Sequence, residues 1–328
     1  MRTLTDCDLH VEGVGLESRA RHGTADFPLG CYRDGLGCTP VPAHWHDALE
    51  LSVVAEGRAE YLLGTRRVVL GRGEGVFVNA GTLHAIAPAS PDALTDTVVF
   101  FPRLVAGDVE SVFWQRYVGP LVRGGGLLPA MVLNRDIPWQ AACLDAASDV
   151  LAAFCDEGFG YEFRVREALS RAVCAFAAEF ARLSSAHPRS VVRPCPDGSI
   201  PDDAPGASAP GAPVPAAELR RSDRLKAMIS CVHERYAADL RVEEVAASAS
   251  VSVSECLRCF REVLGTTPMR YVREYRVRQA ARLISEGVSA TDAASACGFS
   301  DASYFTKAFR ACLGVTPSEY RRRARAGE

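Results

Sequence analysis

Long apolar runs are absent from this 328-residue sequence, and no stretch approaches the roughly 20 apolar residues of a membrane-spanning helix. The opening residues, MRTLTDCDLHVEG, contain two aspartates and lack the apolar segment of a secretory signal. Hydrophobic residues make up 48% of the chain and charged residues 23%, which excludes wholesale disorder. We therefore expect a globular, cytoplasmic protein whose 12 cysteines are scattered, reduced thiols.

The net charge of -3 conceals an uneven distribution along the chain. From Glu218 onward, 19 Lys and Arg residues face 14 Asp and Glu residues, a net charge of +5. The rest of the chain has 18 basic and 26 acidic residues, a net charge of -8. A basic third on an acidic body indicates a polyanionic partner for that third, the alternative being an ordinary solvated surface.

A stretch crowded with proline, glycine, serine and alanine divides the chain and reads SSAHPRSVVRPCPDGSIPDDAPGASAPGAPVP from Ser184. No hydrophobic period survives in it, which predicts an extended linker. The sequence on its two sides has different periodicities. The predicted organisation is a β-rich domain over 1–107, a helical segment over 108–184, the linker over 185–217 and a helical domain over 218–328.

The first region contains short segments rich in valine, leucine, tyrosine and phenylalanine, separated by glycines. Strands at this even spacing predict a small sandwich or barrel. The segments are LELSVV (49–54), AEYLLG (59–64), RRVVLG (66–71), GVFVNA (75–80) and DTVVFF (96–101).

The segment 108–184 has helical periodicity. We predict a helix over SVFWQRYVGPLV that ends at Pro120, and long helices over 139–155 and 163–183. The last carries an apolar stripe that favours a dimerisation face, the alternative being packing against the barrel. The stripe consists of Val165, Leu169, Val173, Phe176 and Phe180.

The C-terminal region contains an internal repeat. FREVLGTTPMRYVR (260–273) aligns with FRACLGVTPSEYRR (309–322) at an offset of 49 residues. Gly265 and Gly314 suit the left-handed conformation that ends a helix. Thr267 and Thr316 each precede a proline and suit the N-cap of the next helix. Each copy therefore predicts two short helices joined by a tight turn, followed by a third helix.

The second helix of each copy has one apolar face and one polar face. The apolar face carries cysteine, phenylalanine, valine, leucine and alanine, and we predict that it packs in the core. Its positions are 256, 259, 260, 263, 264, 305, 308, 309, 312 and 313. Small, hydroxylated and basic side chains on the other face suit a helix in the DNA major groove, the alternative being a solvated amphipathic face. The predicted DNA-binding residues are Ser254, Leu257, Arg258, Arg261, Ser303, Thr306, Lys307 and Arg310.

The segment GFSDASYFTKAFRACLGVTPSEYRR (298–322) resembles the signature of the AraC/XylS family of transcription regulators. The resemblance extends over about 223–323 and implies an all-helical domain with two helix-turn-helix units that binds double-stranded DNA. It also implies RNA polymerase as a partner. In the first copy, Glu255 and Cys256 stand where family members carry an aromatic pair, and Glu255 could accept a hydrogen bond from cytosine or discourage phosphate approach.

The β-rich region contains HWHDALE (44–50) and, farther on, His84. This pattern resembles the two motifs of cupins, in which such histidines and glutamate bind iron, manganese or zinc. In AraC-family sensing domains similar residues are structural or line an effector pocket. We expect His44, His46, Glu50 and His84 to line an effector pocket or a metal site, and no obligatory cofactor.

The predicted fold class is multidomain α+β, with a cupin-like sensing barrel, a helical dimerisation segment and an all-α domain with two helix-turn-helix motifs. The predicted function is sequence-specific DNA binding by a non-enzymatic, homodimeric transcription regulator that responds to a small effector. One alternative is a metal-dependent cupin enzyme or metal sensor fused to a DNA-binding domain. Another is constitutive DNA binding, with the barrel serving only to dimerise.

Overall fold

The computed structural model describes residues 22–37, 40–186 and 215–326, together with Leu4. The chain divides into two compact units, the first ending at Leu219 and the second beginning at Arg220. Most of the predicted linker, residues 187–214, lies outside the described residues. Within the described ranges, no helix is both long and apolar enough to cross a membrane.

The first unit is built on strands that include the five predicted segments. Over the described residues they are β1 (Leu29–Gly35), β2 (Val41–His44), β3 (Leu49–Glu56), β4 (Arg58–Leu63), β5 (Arg66–Gly71), β6 (Gly75–Val78), β7 (His84–Pro88), β8 (Leu94–Phe100) and β9 (Ala130–Leu133). They form a five-stranded sheet in the order β1-β8-β3-β6-β9 and a four-stranded sheet in the order β2-β7-β4-β5. All neighbouring pairs in the two sheets are antiparallel.

Alternation along β3 decides which side chains enter the space between the sheets, because successive residues of a strand point to opposite faces. Leu49 and Leu51 belong to the apolar core shared with the helices. The Ser52 hydroxyl lies 2.9 Å from Oη of Tyr61, which is on the opposite sheet. Glu50 has the same parity as Ser52 and therefore faces the barrel interior.

The helices of the first unit follow the barrel strands. They are α1 (Arg103–Ala106), α2 (Gly119–Arg123), α3 (Pro138–Asp156) and α4 (Tyr161–Ala186), and a π-helical turn over Trp114–Val118 leads into α2. The prediction that a helix ends at Pro120 is wrong, because Pro120 occupies the first turn of α2. Proline is tolerated there because the first backbone N–H groups of a helix have no intrahelical acceptor.

The apolar stripe of α4 faces the unit's own core. Val165, Leu169, Val173 and Phe176 are all buried, and the ring of Phe176 stacks on that of Phe77 in β6 with centroids 4.0 Å apart. The prediction that this stripe is a dimerisation face is therefore wrong. Packing against the barrel already removes its apolar surface from water.

The segment 108–184 is not a separate helical piece. Its residues Ala130–Leu133 form β9, which extends the five-stranded sheet by pairing with β6, with Met131 opposite Phe77. The sequence boundary drawn at 107/108 therefore falls inside one compact unit. Four residues are too short a run for periodicity to distinguish a strand from a helical turn.

The second unit is helical, and its order agrees with the prediction. The helices are α5 (Ala216–Arg235), α6 (Val242–Ser248), α7 (Val253–Cys259), α8 (Pro268–Ser285), α9 (Ala290–Ala296), α10 (Ala302–Leu313) and α11 (Pro317–Ala326). A π-helical turn over Phe260–Leu264 continues α7. The multidomain α+β fold class is thus confirmed.

The predicted helix starts and stops of the repeat are also present. Gly265 and Gly314 adopt left-handed conformations with φ of 67° and 75° after the second helix of each copy. The Thr267 hydroxyl accepts a hydrogen bond from the Arg270 amide over 3.4 Å, and Thr316 caps α11 in the same way. These caps satisfy amide groups that the first helical turn leaves unpaired.

The repeat extends to side-chain packing. Phe260 contacts Tyr271 edge-on with ring centroids 5.7 Å apart, and the equivalent Phe309 contacts Tyr320 at 5.5 Å. Cys312 departs from its predicted core position and is exposed. Its equivalent in the first copy, Val263, is buried and lies in a π-helical turn, whereas α10 is a regular α-helix.

Candidate functional site

The four residues singled out in the barrel converge on one point. His44 ends β2, His46 lies in the following loop, Glu50 is on β3 and His84 begins β7, directly opposite His44 in the strand register. All four side chains are buried, with at most 6% of any residue exposed. Each offers one possible ligand atom, and these four atoms lie within 4.8 Å of one another.

Glu50 is at the centre of this cluster. Its Oε2 lies 3.2 Å from Nε2 of His46 and 3.2 Å from Nε2 of His84. The rings of His44 and His84 are 4.1 Å apart between centroids. Among the described residues, Nε2 of His84 has no hydrogen bond of acceptable geometry.

Backbone carbonyls hold the other nitrogen of each ring. Nδ1 of His44 donates to Pro42 O over 2.7 Å, and Nδ1 of His46 donates to Ala48 O over 3.0 Å. Nδ1 of His84 donates to Thr82 O over 2.9 Å. A carbonyl only accepts hydrogen bonds, so each Nδ1 carries the proton, and each Nε2 of a neutral ring carries a lone pair.

Electrostatics favour an ionised Glu50 and a neutral His84. Burial by itself raises the pKa of Glu50, but the imidazoles of His84 and His46 outweigh burial and hold that pKa well below its usual range. Burial and the neighbouring His44 lower the pKa of His84, which favours its neutral form. A neutral imidazole and a carboxylate are the protonation states in which these groups coordinate metals.

Sequence reasoning missed His22, which approaches the cluster. Its Nδ1 lies 2.6 Å from Oη of Tyr32, and its ring meets that of His46 edge-on with centroids 5.6 Å apart. His22 is only 2% exposed. It precedes His44 by 22 positions and has no motif around it, so no local signal could have revealed it.

Beyond the cluster, the barrel interior combines an apolar core that includes Val76, Val78 and Ile86 with several hydrogen-bonding groups. The Ser52 hydroxyl lies 2.9 Å from Tyr61 Oη and 2.9 Å from Thr97 Oγ1. Thr95 and Asp34 are also buried. A run of hydrogen-bonding groups inside a barrel is suited to orient a polar ligand.

In the first copy of the repeat, the predicted DNA-binding face is turned to solvent. Ser254, Arg258 and Arg261 are exposed and Leu257 is half-buried, whereas Cys256 on the opposite side of α7 is buried. This arrangement is the one required of a helix that enters a groove, and the roles of the individual side chains stay predictions.

Glu255 engages the basic groups beside that face. Nη2 of Arg258 donates to Glu255 Oε2 over 2.5 Å, and Nη1 of Arg224 lies 3.9 Å from Glu255 Oε1. The acid that distinguishes the first copy therefore partly neutralises its predicted base-reading arginine.

The second copy presents a less neutralised face. Ser303, Thr306, Lys307 and Arg310 on α10 are all exposed. The Thr306 hydroxyl donates to Ala302 O within the helix over 2.9 Å. Tyr304 stands where the first copy has Glu255, so the two helices differ in charge although they share a fold.

Arg276 is a functional candidate that the sequence did not reveal. From α8 it donates to the carbonyls of Tyr236, Ala238 and Gly298 over 2.6, 2.7 and 2.9 Å. Gly298 lies in the turn between α9 and α10, and the other two carbonyls follow α5. The guanidinium thus fixes the second helix-turn-helix unit against the rest of the domain.

Within the described part of the chain, the close pair Cys256 and Cys259 does not form a reactive centre. Cys256 and Cys259 have C-x-x-C spacing, but both are buried in the repeat core. Burial raises the pKa of Cys256 to about 11 and raises that of Cys259 as well. Neither is a thiolate at neutral pH, as a metal ligand or nucleophile requires.

Comparisons with known proteins agree with this division of sites. A family model described as an AraC-like ligand binding domain matches residues 39–145, and one described as a helix-turn-helix domain matches residues 245–323. The first range contains His44, His46, Glu50 and His84, and the second contains both predicted recognition helices.

Two relatives match along most of the chain. The HTH-type transcriptional regulator YdeC of Bacillus subtilis (strain 168) is 24% identical over 317 residues, with 94% of this chain and 96% of the relative covered. The HTH-type transcriptional activator RhaR of Pectobacterium carotovorum subsp. carotovorum (strain PC1) is 24% identical over 284 residues, with 86% of each covered. A solved AraC-type regulator from Chromobacterium violaceum matches 31% of this chain and 92% of its own at 28% identity and a TM-score of 0.30.

The family resemblance carried by GFSDASYFTKAFRACLGVTPSEYRR is therefore confirmed. A ligand-binding barrel precedes a DNA-binding domain with two helix-turn-helix units. This chain belongs to the AraC family of transcriptional regulators.

Proposed function

We propose that this regulator reads two blocks of duplex DNA per protomer and that a small ligand in its barrel controls where it binds. The observation that carries the proposal is the pair of exposed polar faces on α7 and α10, each backed by a buried apolar face. Arginine and lysine on these faces reach guanine edges or phosphates, and hydroxyls bond to either.

Control by a ligand follows from linkage. A ligand that binds one arrangement of the protein more tightly shifts the population toward that arrangement, and DNA binding shifts with it by the same free energy. The polar barrel interior around Ser52, Tyr61 and Thr97 supplies the donors and acceptors that such a ligand needs. The four cluster residues are buried, which suits retention of a bound group more than turnover of a substrate.

Homodimerisation completes the proposal. Since α4 is packed inward, we assign the contact to apolar side chains that remain exposed on the first unit, because such patches mark association surfaces. These are Val109, Val112, Phe113 and Phe163, between 52% and 79% exposed. The relative RhaR is named a transcriptional activator, and we extend to this chain the contact with RNA polymerase that activation requires.

Genome-wide mapping of DNA bound by the full chain tests the function. The expected sites contain two short blocks about 10 bp apart on one face of the duplex. Footprinting on a recovered fragment should show loss of protection by a Lys307→Ala/Arg310→Ala double variant. Protection that is unchanged in this folded variant would contradict DNA reading by α10.

Control by the barrel is measured on a promoter recovered by the mapping. A Tyr61→Phe variant removes one interior hydroxyl and leaves the DNA-binding unit intact. We expect altered reporter output with unchanged DNA affinity of the purified chain. A reporter response equal to that of the parent would favour constitutive DNA binding.

A further inference from the structure

We propose that His44, His46, Glu50 and His84 bind one divalent first-row transition-metal ion inside the barrel. The four side chains come from three strands and a loop, and they are buried with their ligand atoms within 4.8 Å of one another. This ligand goes beyond the proposed DNA-binding function, and either can fail without the other.

The hydrogen bonds of the three rings leave no donor for the carboxylate of Glu50 if the rings are neutral. Each Nδ1 donates its proton to a backbone carbonyl, so each neutral ring can only accept at Nε2. Yet Nε2 of His46 and Nε2 of His84 both lie 3.2 Å from the same oxygen of Glu50, which is also an acceptor. Lone pairs in such contact require a cation between them.

A bound proton meets this requirement less well than a metal ion. One proton can bridge Glu50 to His46 or to His84, but it leaves the other ring facing the carboxylate without a donor. Two protons would place two imidazolium rings 5.0 Å apart between centroids in a buried site, against a single carboxylate. Desolvation and mutual repulsion make that arrangement costly.

A divalent ion satisfies all four groups together. Three neutral imidazoles and one carboxylate carry a net charge of −1 and supply four lone pairs. The carbonyls of Pro42, Ala48 and Thr82 are the outer partners that orient metal-binding histidines and fix their tautomer. Nε2 of His84 lies close to Glu50 without a hydrogen bond of acceptable geometry, which agrees with a metal ligand.

The donor set selects the class of ion. Imidazole nitrogens with one carboxylate suit zinc, iron, manganese, cobalt or nickel in the divalent state. Magnesium and calcium prefer sites made of oxygen ligands. The thiols of the described residues are not part of the cluster, which disfavours a soft ion such as copper(I).

The test uses the full chain purified without a histidine tag, stripped with a chelator and titrated with Co²⁺ and Zn²⁺ in the presence of excess Mg²⁺. We expect about one ion per chain by elemental analysis and a melting temperature that rises with either ion. The Co²⁺ complex should show visible d–d bands without the intense near-ultraviolet band of a cobalt–thiolate bond. Substoichiometric binding, or a thiolate band, would overturn the assignment.

Two matched variants locate the ion. Glu50→Gln keeps the shape of the side chain and removes its charge, whereas Asp47→Asn makes the same change at an exposed position of the same loop. We expect Glu50→Gln to lower Co²⁺ affinity by about tenfold or more, and Asp47→Asn to leave it unchanged. Equal affinities in the two folded variants would contradict the site. If Glu50→Gln does not fold, the stoichiometry and spectrum of the parent chain decide.

Discussion

The guanidinium of Arg276 donates a hydrogen bond to the carbonyl oxygen of Gly298 over 2.9 Å and so joins the helix between the two repeats to the turn of the second repeat. Two further bonds from the same group reach the chain that follows α5. One side chain therefore couples parts of the fold that are distant in sequence. It fixes the turn that precedes α10, the predicted recognition helix of the second repeat.

Replacement of Arg276 by alanine should destabilise the second unit by about 2–3 kcal/mol, since three carbonyls lose a charged donor. Arg282→Ala is the control, because Arg282 is exposed and pairs only with Glu286 among the ion pairs of the described residues. Its expected cost is about 0.5 kcal/mol or less. Urea unfolding followed by circular dichroism distinguishes the two, and equal effects would contradict the positioning role of Arg276.

The two predicted reading residues should act on separate blocks of DNA. Helix α8 has 18 residues and spans about 27 Å, so with its flanking turns it suits recognition helices about one DNA turn apart. Arg258→Ala and Lys307→Ala should each weaken binding by about 1–3 kcal/mol and relax preference in a different block. Footprints and affinities unaltered by either variant would refute paired reading. A uniform loss with a smaller salt slope would instead assign the residue to phosphate contact.

Removal of the Glu255 carboxylate, which pairs with Arg258 on α7, should strengthen DNA binding. Glu255→Gln releases Arg258 and Arg224 from a competing carboxylate and removes a negative charge near the phosphates. We expect a severalfold higher affinity at low salt, and a smaller gain as salt screens the charges. Glu286→Gln, which breaks a similar pair on α8, should not reproduce the gain. Lower affinity for the cognate site alone would show that Glu255 reads a base.

Phe176 should matter for stability and not for association. Because its ring stacks on Phe77 in the core, Phe176→Ala should destabilise the first unit by about 3–5 kcal/mol. Phe159→Ala, at a fully exposed position, should change stability by about 0.5 kcal/mol or less. Thermal unfolding monitored by tryptophan fluorescence tests both. A stable Phe176→Ala variant that has lost self-association would restore the dimer interpretation of the α4 stripe.

His233 should make the second unit sensitive to acid. Burial, together with the positive charge of Arg278, lowers the pKa of this histidine to about 3, below the value of about 6.5 expected in the unfolded chain. The stability that depends on neutral His233 is fully present above about pH 6.5 and is lost as the pH falls toward 3, at up to about 1.4 kcal/mol per pH unit.

The difference between the parent chain and His233→Gln isolates this contribution. The glutamine can still bond to the Tyr271 hydroxyl, which lies 2.8 Å from Nε2 of His233, but it does not titrate. Urea unfolding at pH 7 and pH 5 should show a smaller loss of stability for the variant. Parallel losses would mean that other groups carry the acid sensitivity.

Local signals in the sequence were sufficient for the second unit. Gly265, Gly314, Thr267 and Thr316 specify where helices stop and start through backbone conformation and capping, which involve only neighbouring residues. The spacing within HWHDALE likewise keeps His44, His46 and Glu50 near one another, because the loop between the two strands is short. The role of these residues in binding a ligand stays a prediction.

Only the tertiary structure decided which surfaces of the chain pack against each other. An apolar stripe on α4 is compatible with either a core or an interface, and only the position of Phe77 makes it a core. The approach of His22 to His46 and the three carbonyls gathered by Arg276 join residues far apart in sequence. By itself, the sequence determined the two-part organisation and the repeated helix-turn-helix units, since these follow from periodicity and local backbone chemistry, and its motifs carried the family resemblance. The convergence of the buried histidines on Glu50 and the hydrogen bonds of Arg276 required the folded chain, because packing alone sets the distances on which electrostatics and hydrogen bonding depend.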